Sequence, residues 1–394
     1  MISVTEAQDL IRRHWPDWGA ETLTLEDSVG AVLAEEIEAD RDYPPGNRAM
    51  MDGIALDWSR YQEGQRRFSV LGTLPAGNPP PGTELGPGCW EVMTGAYLPP
   101  AWDLVIPYED LRLTPEQVEV TDGRSRRRYE FIHLQGSDCR GGKVLVNPNH
   151  PLNGPVWGVL TSVGKVTVRT PRRPRIALIA TGDELVAPEQ APQPYQLRRS
   201  NVYALQASLL KYGFSRLSLT HLPDDPQRIE DHYRASAGNF EILLYSGAVS
   251  KGKFDYLPQI WQNLGVTRYL QGVAQRPGKP LWFGVDQETK TVILGLPGNP
   301  ISSLVCLHRY LLPQLLPQAP VYARLSREME FKPLLTYFLP VKLESRPDGS
   351  LWADPLVPKN SGEFTALVGS DGFLELPPAP SYFSAGEAFP FYGW

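Results

Sequence analysis

Two segments near the middle of the chain carry residue types suited to holding an anion. Arg276-Pro277-Gly278-Lys279-Pro280 places two cations on a backbone stiffened by proline. Gly295-Leu296-Pro297-Gly298-Asn299-Pro300 sets permissive glycine beside rigid proline, just ahead of a helix predicted from Ile301. Glycine and proline together hold a backbone in a fixed shape with its amides exposed. Exposed amides, a helix N-terminus and fixed positive charge favour an oxyanion. Arg276 adds a planar fork of donors, Lys279 a compact charge, and Ser302 a hydroxyl in the first helical turn.

The elements that must position these segments read as alternating α/β structure from residue 175 onward. Residues 176–180 form an apolar strand that runs directly into Thr181-Gly182-Asp183-Glu184. A helix over 201–212 is expected, capped by Ser200 and stopped at Gly213. Further strands are predicted at 217–222, 242–245, 282–285 and 291–294, with a helix starting at Asp224-Asp225-Pro226. Strands joined by helical crossovers imply a parallel sheet, whose ligands bind where carboxyl ends release loops. Upstream, Ser3 and Glu6 have capping-box spacing for an N-terminal helix. An amphipathic stretch is expected over 28–37. Residues 46–145 read as short strands cut by turns. After 320 the helical pattern stops, and strands are predicted at 337–343, 351–353 and 372–376.

The totals bound the function. The chain has 394 residues, 42% of them apolar and 21% charged, enough for several domains with full cores. A net charge of −6 argues against general nucleic-acid binding. Arg124-Ser125-Arg126-Arg127-Arg128 reads as a solvated turn, and Arg198-Arg199 as a surface pair despite its suitability for an anion. Three scattered cysteines imply neither a disulfide framework nor a zinc site. No apolar run is long enough for a membrane span and no signal pattern opens the chain, so a cytoplasmic protein is expected.

Five segments, counting the glycine-proline pair as one, resemble one family in this order. They are Pro44-Pro45-Gly46-Asn47-Arg48-Ala49-Met50-Met51-Asp52-Gly53, Met93-Thr94-Gly95-Ala96, Thr181-Gly182-Asp183-Glu184-Leu185, Ser246-Gly247-Ala248-Val249-Ser250, and the two glycine-proline segments. The chain is thereby similar to the molybdopterin molybdenumtransferases, the MoeA proteins and gephyrin E domains. The resemblance implies an α/β plus β multidomain fold: a central doubly wound molybdopterin-binding-like domain (173–320), an inserted β domain (46–145), an elongated dimerisation domain (1–45 and 146–172), and a C-terminal small β-barrel-like domain (321–394).

It also implies a reaction in which molybdopterin-AMP and molybdate give molybdenum cofactor and AMP, with Mg2+ as the cation. Asp52, Asp255 and Lys279 would be catalytic. Asp224, Ser250, Arg276, Lys279, Gly298, Asn299, Ser302 and Ser361 would bind substrate. Asp224, Asp255 and Glu184 would hold magnesium, which needs hard oxygen ligands. Asp224 could instead cap the helix before Pro226, Glu184 brace its loop, and Asp52 serve a turn. Asp52 is implied to reach the site from the partner of a homodimer. The molybdopterin adenylyltransferase and molybdoenzyme-maturation proteins are the implied partners; nucleic acid and membranes are not.

The pattern is broken in places. Ala248 stands where the family has glycine, Arg276 where it has lysine, and Gly46, Asn47, Ala49 and Met50 replace side chains of the opening motif. Lys332 aligns with an arginine, and Lys251 and Lys253 occupy a loop that usually holds an acidic residue. Two other readings remain open: a molybdopterin or molybdate carrier without turnover, and a pterin or nucleotide pyrophosphate hydrolase on the same fold.

Overall fold

The computed structural model describes residues 1–82, 86–114, 117–247, 256–316 and 319–394. They form two compact units, one of Thr22–Thr170 and one of Met1–Glu21 with Pro171–Trp394. The chain opens with α1 (Val4–Arg13), whose capping box is formed: the Ser3 hydroxyl accepts from the Glu6 amide and the Glu6 carboxylate accepts from the Ser3 amide. Val4, Ala7 and Ile11 on one face are buried.

In the unit of Thr22–Thr170, β1 (Gly53–Leu56), β2 (Arg67–Leu74), β3 (Cys89–Val92), β4 (Leu104–Pro107), β5 (Leu111–Leu113) and β6 (Gln117–Val120) make one sheet in the order β4-β1-β3-β2-β6-β5. β1 and β4 are buried on both faces, which matches their unbroken apolar sequences.

The stretch 28–37 is amphipathic, with Ala31, Leu33 and Ile37 buried and Val29 and Glu36 exposed, but it is not helical. Gly30 takes a φ of 73°, and Leu33 pairs in extended fashion, its amide donating to the His150 carbonyl and its carbonyl accepting from the Asn149 amide. The basic run is solvated at Arg124, Arg127 and Arg128, as expected, but not at Arg126. The Arg126 side chain is fully buried and meets Asp110 at 2.6 Å, Glu130 at 3.1 Å, and Asp122. Charge sign alone does not reveal these partners, because they converge only when the β5–β6 hairpin folds.

In the other unit the sequence alternates as expected. β7 (Ile176–Thr181), α2 (Asn201–Lys211), β8 (Leu217–Leu222), α3 (Pro226–Ser236), β9 (Ile242–Ser246), α4 (Leu257–Asn263), β10 (Thr267–Gln271), β11 (Trp282–Asp286), β12 (Thr291–Leu296) and α5 (Pro300–Cys306) follow one another. The sheet order is β8-β7-β9-β12-β11-β10. β8, β7, β9 and β12 are parallel, but β11 runs antiparallel to both neighbours, so the sheet is mixed rather than parallel. The cause is local: the Asp286 carboxylate accepts from the amides of Glu288 and Thr289 and folds 286–291 into a hairpin turn, too short for a crossover. Ile176, Leu178 and Ala180 of β7 pack in the core shared with α1, α2 and α5, while Ala177 and Ile179 pack with Tyr233 and Trp261 on the opposite face.

Five further strands close on themselves. β13 (Val321–Leu325), β14 (Thr336–Ser345), β15 (Leu351–Pro355), β16 (Gly372–Leu376) and β17 (Ala388–Gly393) pair in the circuit β14-β15-β13-β17-β16-β14, a small barrel. Its Phe338 and Phe373 belong to the same core as β7 and α5, and Arg309 is ion-paired with Glu375 at 2.6 Å.

His308, four per cent exposed, lies between Ser208, Tyr212 and Trp394. Burial pushes its imidazole down to about 4. The folded protein therefore binds fewer protons than the unfolded chain between about pH 6.5 and 4, and stability must fall as pH falls through that window. The loss from this group should approach ~3 kcal/mol by pH 4. Denaturant unfolding at stepped pH should show that slope, and His308→Phe should flatten it; an unchanged slope would contradict the assignment.

Candidate functional site

The carboxyl ends of β7, β8, β9 and β12 all release loops at one edge of the sheet, and a cleft of about 1190 Å³ opens there. It gathers residues from stretches far apart in sequence. Glu184 comes from the loop after β7, Asp224 from the loop after β8, and Gly298 and Asn299 from the loop after β12. Arg276 and Lys279 come from the segment between β10 and β11, Ser302 from α5, and Ser361 from the barrel. All eight of these predicted site residues line the same cavity.

The two glycine-proline segments are held differently. In the first, the peptide before Pro277 is cis, Gly278 takes a φ of 91°, and the Val273 amide donates to the Lys279 carbonyl at 2.9 Å to close the turn. Gln275 and Arg276 pair in parallel with Thr336 and Tyr337 of β14, which ties this turn to the barrel. The Arg276 and Lys279 side chains stay exposed in the cleft and form no ion pair with a described residue. In the second, Asn201 of α2 donates to the Gly298 carbonyl at 2.7 Å and to the Ser246 hydroxyl at 3.0 Å. The Asn299 side chain makes no cap for α5; it donates to the Ser361 hydroxyl at 2.7 Å. Ser302 is almost fully buried, yet it forms part of the cleft wall.

Asp224 and Asp225 divide their roles. Asp225 caps α3, accepting from the amides of Gln227 and Arg228, whereas Asp224 lines the cleft, its amide donating to the Asp183 carboxylate at 3.1 Å. The expected cap at Ser200 is absent, since that residue already takes a helical conformation. Glu184 is exposed and shares the lining with Asp224. Magnesium commonly takes one or two protein carboxylates and completes its shell with phosphate oxygens and water. Glu184 and Asp224 fit that donor set, and among the described residues no group of three or more His, Cys, Asp or Glu forms a closed cage. Asp255 and Ser250 lie outside the described residues, as do Ala248, Lys251 and Lys253.

Asp52 belongs to the unit of Thr22–Thr170. Its carboxylate accepts from the Thr94 amide at 2.6 Å and the Thr94 hydroxyl at 2.7 Å, bonds that hold it below the usual carboxylate range. This joins two of the five recognised segments at one point. Lys332 pairs with Glu330 at 3.4 Å and is no part of the cleft lining.

Arg198 and Arg199, expected as a surface pair, both line the cleft. The Arg198 Nε donates to the Gln190 carbonyl at 3.1 Å, while the Arg199 Nε is buried with no hydrogen-bond partner among the described residues. Their place just before a helix that follows a β-strand carboxyl end is the sequence signal that could have found them. The described lining thus holds four cations against two carboxylates, the balance an oxyanion-binding cleft requires. At the rim, Phe364 offers an exposed aromatic face.

Comparison with known proteins agrees with this architecture along its whole length. The model for the MoeA N-terminal region (domain I and II) matches residues 2–164, that for a probable molybdopterin binding domain residues 177–317, and that for the MoeA C-terminal region (domain IV) residues 322–394. A molybdopterin molybdenumtransferase of Synechocystis sp. is 56% identical over 100% of both chains. One of Synechococcus elongatus is 29% identical over 93% of this chain and 92% of its own. The crystal structure of a molybdopterin biosynthesis MoeA protein from Pyrococcus horikoshii covers 100% of this chain and 99% of its own, with a TM-score of 0.84 at 26% identity. No described helix is long and apolar enough to cross a membrane. With strand-end loops gathered at one cationic cleft and full-length identity of this order, the chain belongs to the molybdopterin molybdenumtransferases, transferases of molybdenum cofactor biosynthesis.

Proposed function

We propose that this protein converts adenylylated molybdopterin and molybdate into molybdenum cofactor and AMP, with magnesium. The observation that carries the reading is the pair Arg276 and Lys279, exposed in the cleft and without an ion pair to any described residue, in a lining that also holds two carboxylates. A dianion and a phosphoanhydride both need such charge, and an arginine fork and a lysine point charge supply it in complementary forms.

On this reading Lys279, Arg276, Ser302 and Ser361 hold molybdate, with Asn299 orienting the Ser361 hydroxyl. Gly298 stands where the substrate phosphates approach the backbone. Asp224 and Glu184, joined by Asp255 on the strength of the resemblance, would hold magnesium, which when bound polarises the phosphoanhydride for cleavage. Asp52 is assigned to the reaction and Ser250 to substrate binding on the same resemblance, and the protein is assigned as a homodimer.

Incubation with molybdopterin-AMP, magnesium and molybdate tests the reading. AMP release with molybdenum retained on the product supports it, and omission of magnesium should abolish release. Binding without AMP release would make the protein a carrier, and release indifferent to molybdate would make it a hydrolase. Light scattering should return twice the 43.9 kDa chain mass; a monomer would remove the homodimer.

A further inference from the structure

Beneath the Arg276–Lys279 turn lies a buried polar cluster that the proposed reaction does not use. Gln275 is one per cent exposed. Its Nε2 donates to the Pro277 carbonyl at 3.2 Å and to the Gly278 carbonyl at 3.1 Å. Its Oε1 accepts from the Tyr310 hydroxyl, itself buried. The carboxamide therefore has both donors and its acceptor engaged inside the protein. The turn is wrapped closely around it: a Cβ on Gly278 would lie 2.6 Å from Gln275 Nε2 and 2.8 Å from Cys306 Sγ.

Tyr310 reaches this point because α5 does not continue as a regular α-helix. After Cys306 it widens to π-type hydrogen bonding over Leu307–Leu311. Such an inserted residue rotates the following side chains relative to the helix face, and single π turns recur at functional sites. The helix that begins at Pro300 and carries Ser302 thus also carries, at its far end, the hydroxyl that holds Gln275. One continuous element sets both glycine-proline segments.

We propose that Gln275, keyed by Tyr310, is a positioning residue for oxyanion capture. Its carboxamide fixes the Pro277 and Gly278 carbonyls and so sets where Arg276 and Lys279 present their charges. This rests on the reading that those two cations hold molybdate. A glutamine is suited to the task, since it donates twice and accepts once with no charge of its own. Leucine would leave the Pro277 carbonyl and the Tyr310 hydroxyl without these bonds and the Gly278 carbonyl with only the Cys306 thiol at 3.8 Å, and glutamate could donate to one carbonyl only while protonated.

The test is steady-state turnover with molybdate varied at saturating molybdopterin-AMP, for the unaltered protein and for Gln275→Leu, Gln275→Glu, Tyr310→Phe and Lys279→Ala, each with its unfolding midpoint measured. Gln275→Leu should raise KM for molybdate about tenfold with kcat within about twofold, the signature of lost binding rather than lost chemistry. Tyr310→Phe should move KM the same way by less. The KM of Gln275→Glu should be near normal in mild acid and rise with pH as the acid loses its proton, a profile that a purely structural role would not produce. If Gln275→Leu does not fold, the other two variants carry the test. An unchanged molybdate KM in the Gln275 and Tyr310 variants, with Lys279→Ala impaired, overturns the positioning role alone. An unchanged molybdate KM in Lys279→Ala overturns the underlying reading, and the positioning role falls with it.

Discussion

Replacing Lys279 by alanine should cut kcat/KM for molybdate by about a hundredfold and leave the unfolding midpoint almost unmoved. Its side chain is exposed and forms no ion pair with a described residue, so folding gains little from it. The turn itself is closed by its backbone carbonyl, which accepts from the Val273 amide and survives the substitution. In a cleft partly screened from water, a fixed cation on an oxyanion is worth far more than on an open surface, and removing one such donor costs about two orders of magnitude in rate. Lys279→Arg should recover part of the loss, because charge is kept and shape is not. Calorimetry beside the molybdate titration decides the point: a stability loss that accounts for the activity loss would show the lysine to be structural.

The largest effect on stability is expected at Arg126, in the unit without the cleft. Arg126→Leu keeps much of the buried volume and removes the guanidinium that faces Asp110, Asp122 and Glu130. Arg124 still reaches Asp110 and Asp122, each at 2.7 Å, but Glu130 loses its ion-pair partner among the described residues. Breaking a buried ion network from one side costs about 3–5 kcal/mol, since Glu130 loses its compensating charge and Asp110 and Asp122 keep only that of the half-exposed Arg124.

The effect should depend on pH with a definite sign. The Arg126 hydrogen bond, followed by the charges of Arg126 and Arg124, holds Asp110 below the ordinary carboxylate range. That contribution is present above the unfolded pKa and lost as pH falls through the lower folded value. The gap between the unaltered protein and the variant should therefore narrow in acid. Urea unfolding at pH 7 and pH 3 measures it, and a loss below about 1 kcal/mol at pH 7 would place Arg126 among ordinary surface charges.

Much of the cleft is legible in the sequence because its residues sit in short segments at strand ends. The apolar run 176–180 announces a buried strand, and the residues after it must form a loop at a carboxyl end; Glu184 and Asp224 can be placed from that rule. Periodicity gives a strand but not its direction, so the antiparallel β11–β12 hairpin reads as part of a parallel sheet. β13 and β17 escape detection. Exposed positions such as Val321, Tyr322 and Ala388 alternate irregularly with buried ones, and the pairing of these two strands spans most of the C-terminal region. Arg126 and Gln275 are illegible for a related reason. A polar residue becomes a buried network member only through partners brought close by tertiary folding, and Tyr310 lies 35 positions from Gln275.

The divided make-up of the larger unit has a consequence for birth on the ribosome. Helix α1 emerges well ahead of the strands and helices that bury Val4, Ala7 and Ile11, which begin only at Ile176. At ordinary translation speeds that interval lasts on the order of ten seconds. Throughout it the sticky face of α1 has no native berth, while the intervening stretch, whose sheet is self-contained, can be completed at once. The apolar face of α1 is therefore exposed on the nascent chain until residues beyond Ile176 have emerged, and the charges of Glu6, Arg12 and Arg13 on that helix favour its solubility over the interval.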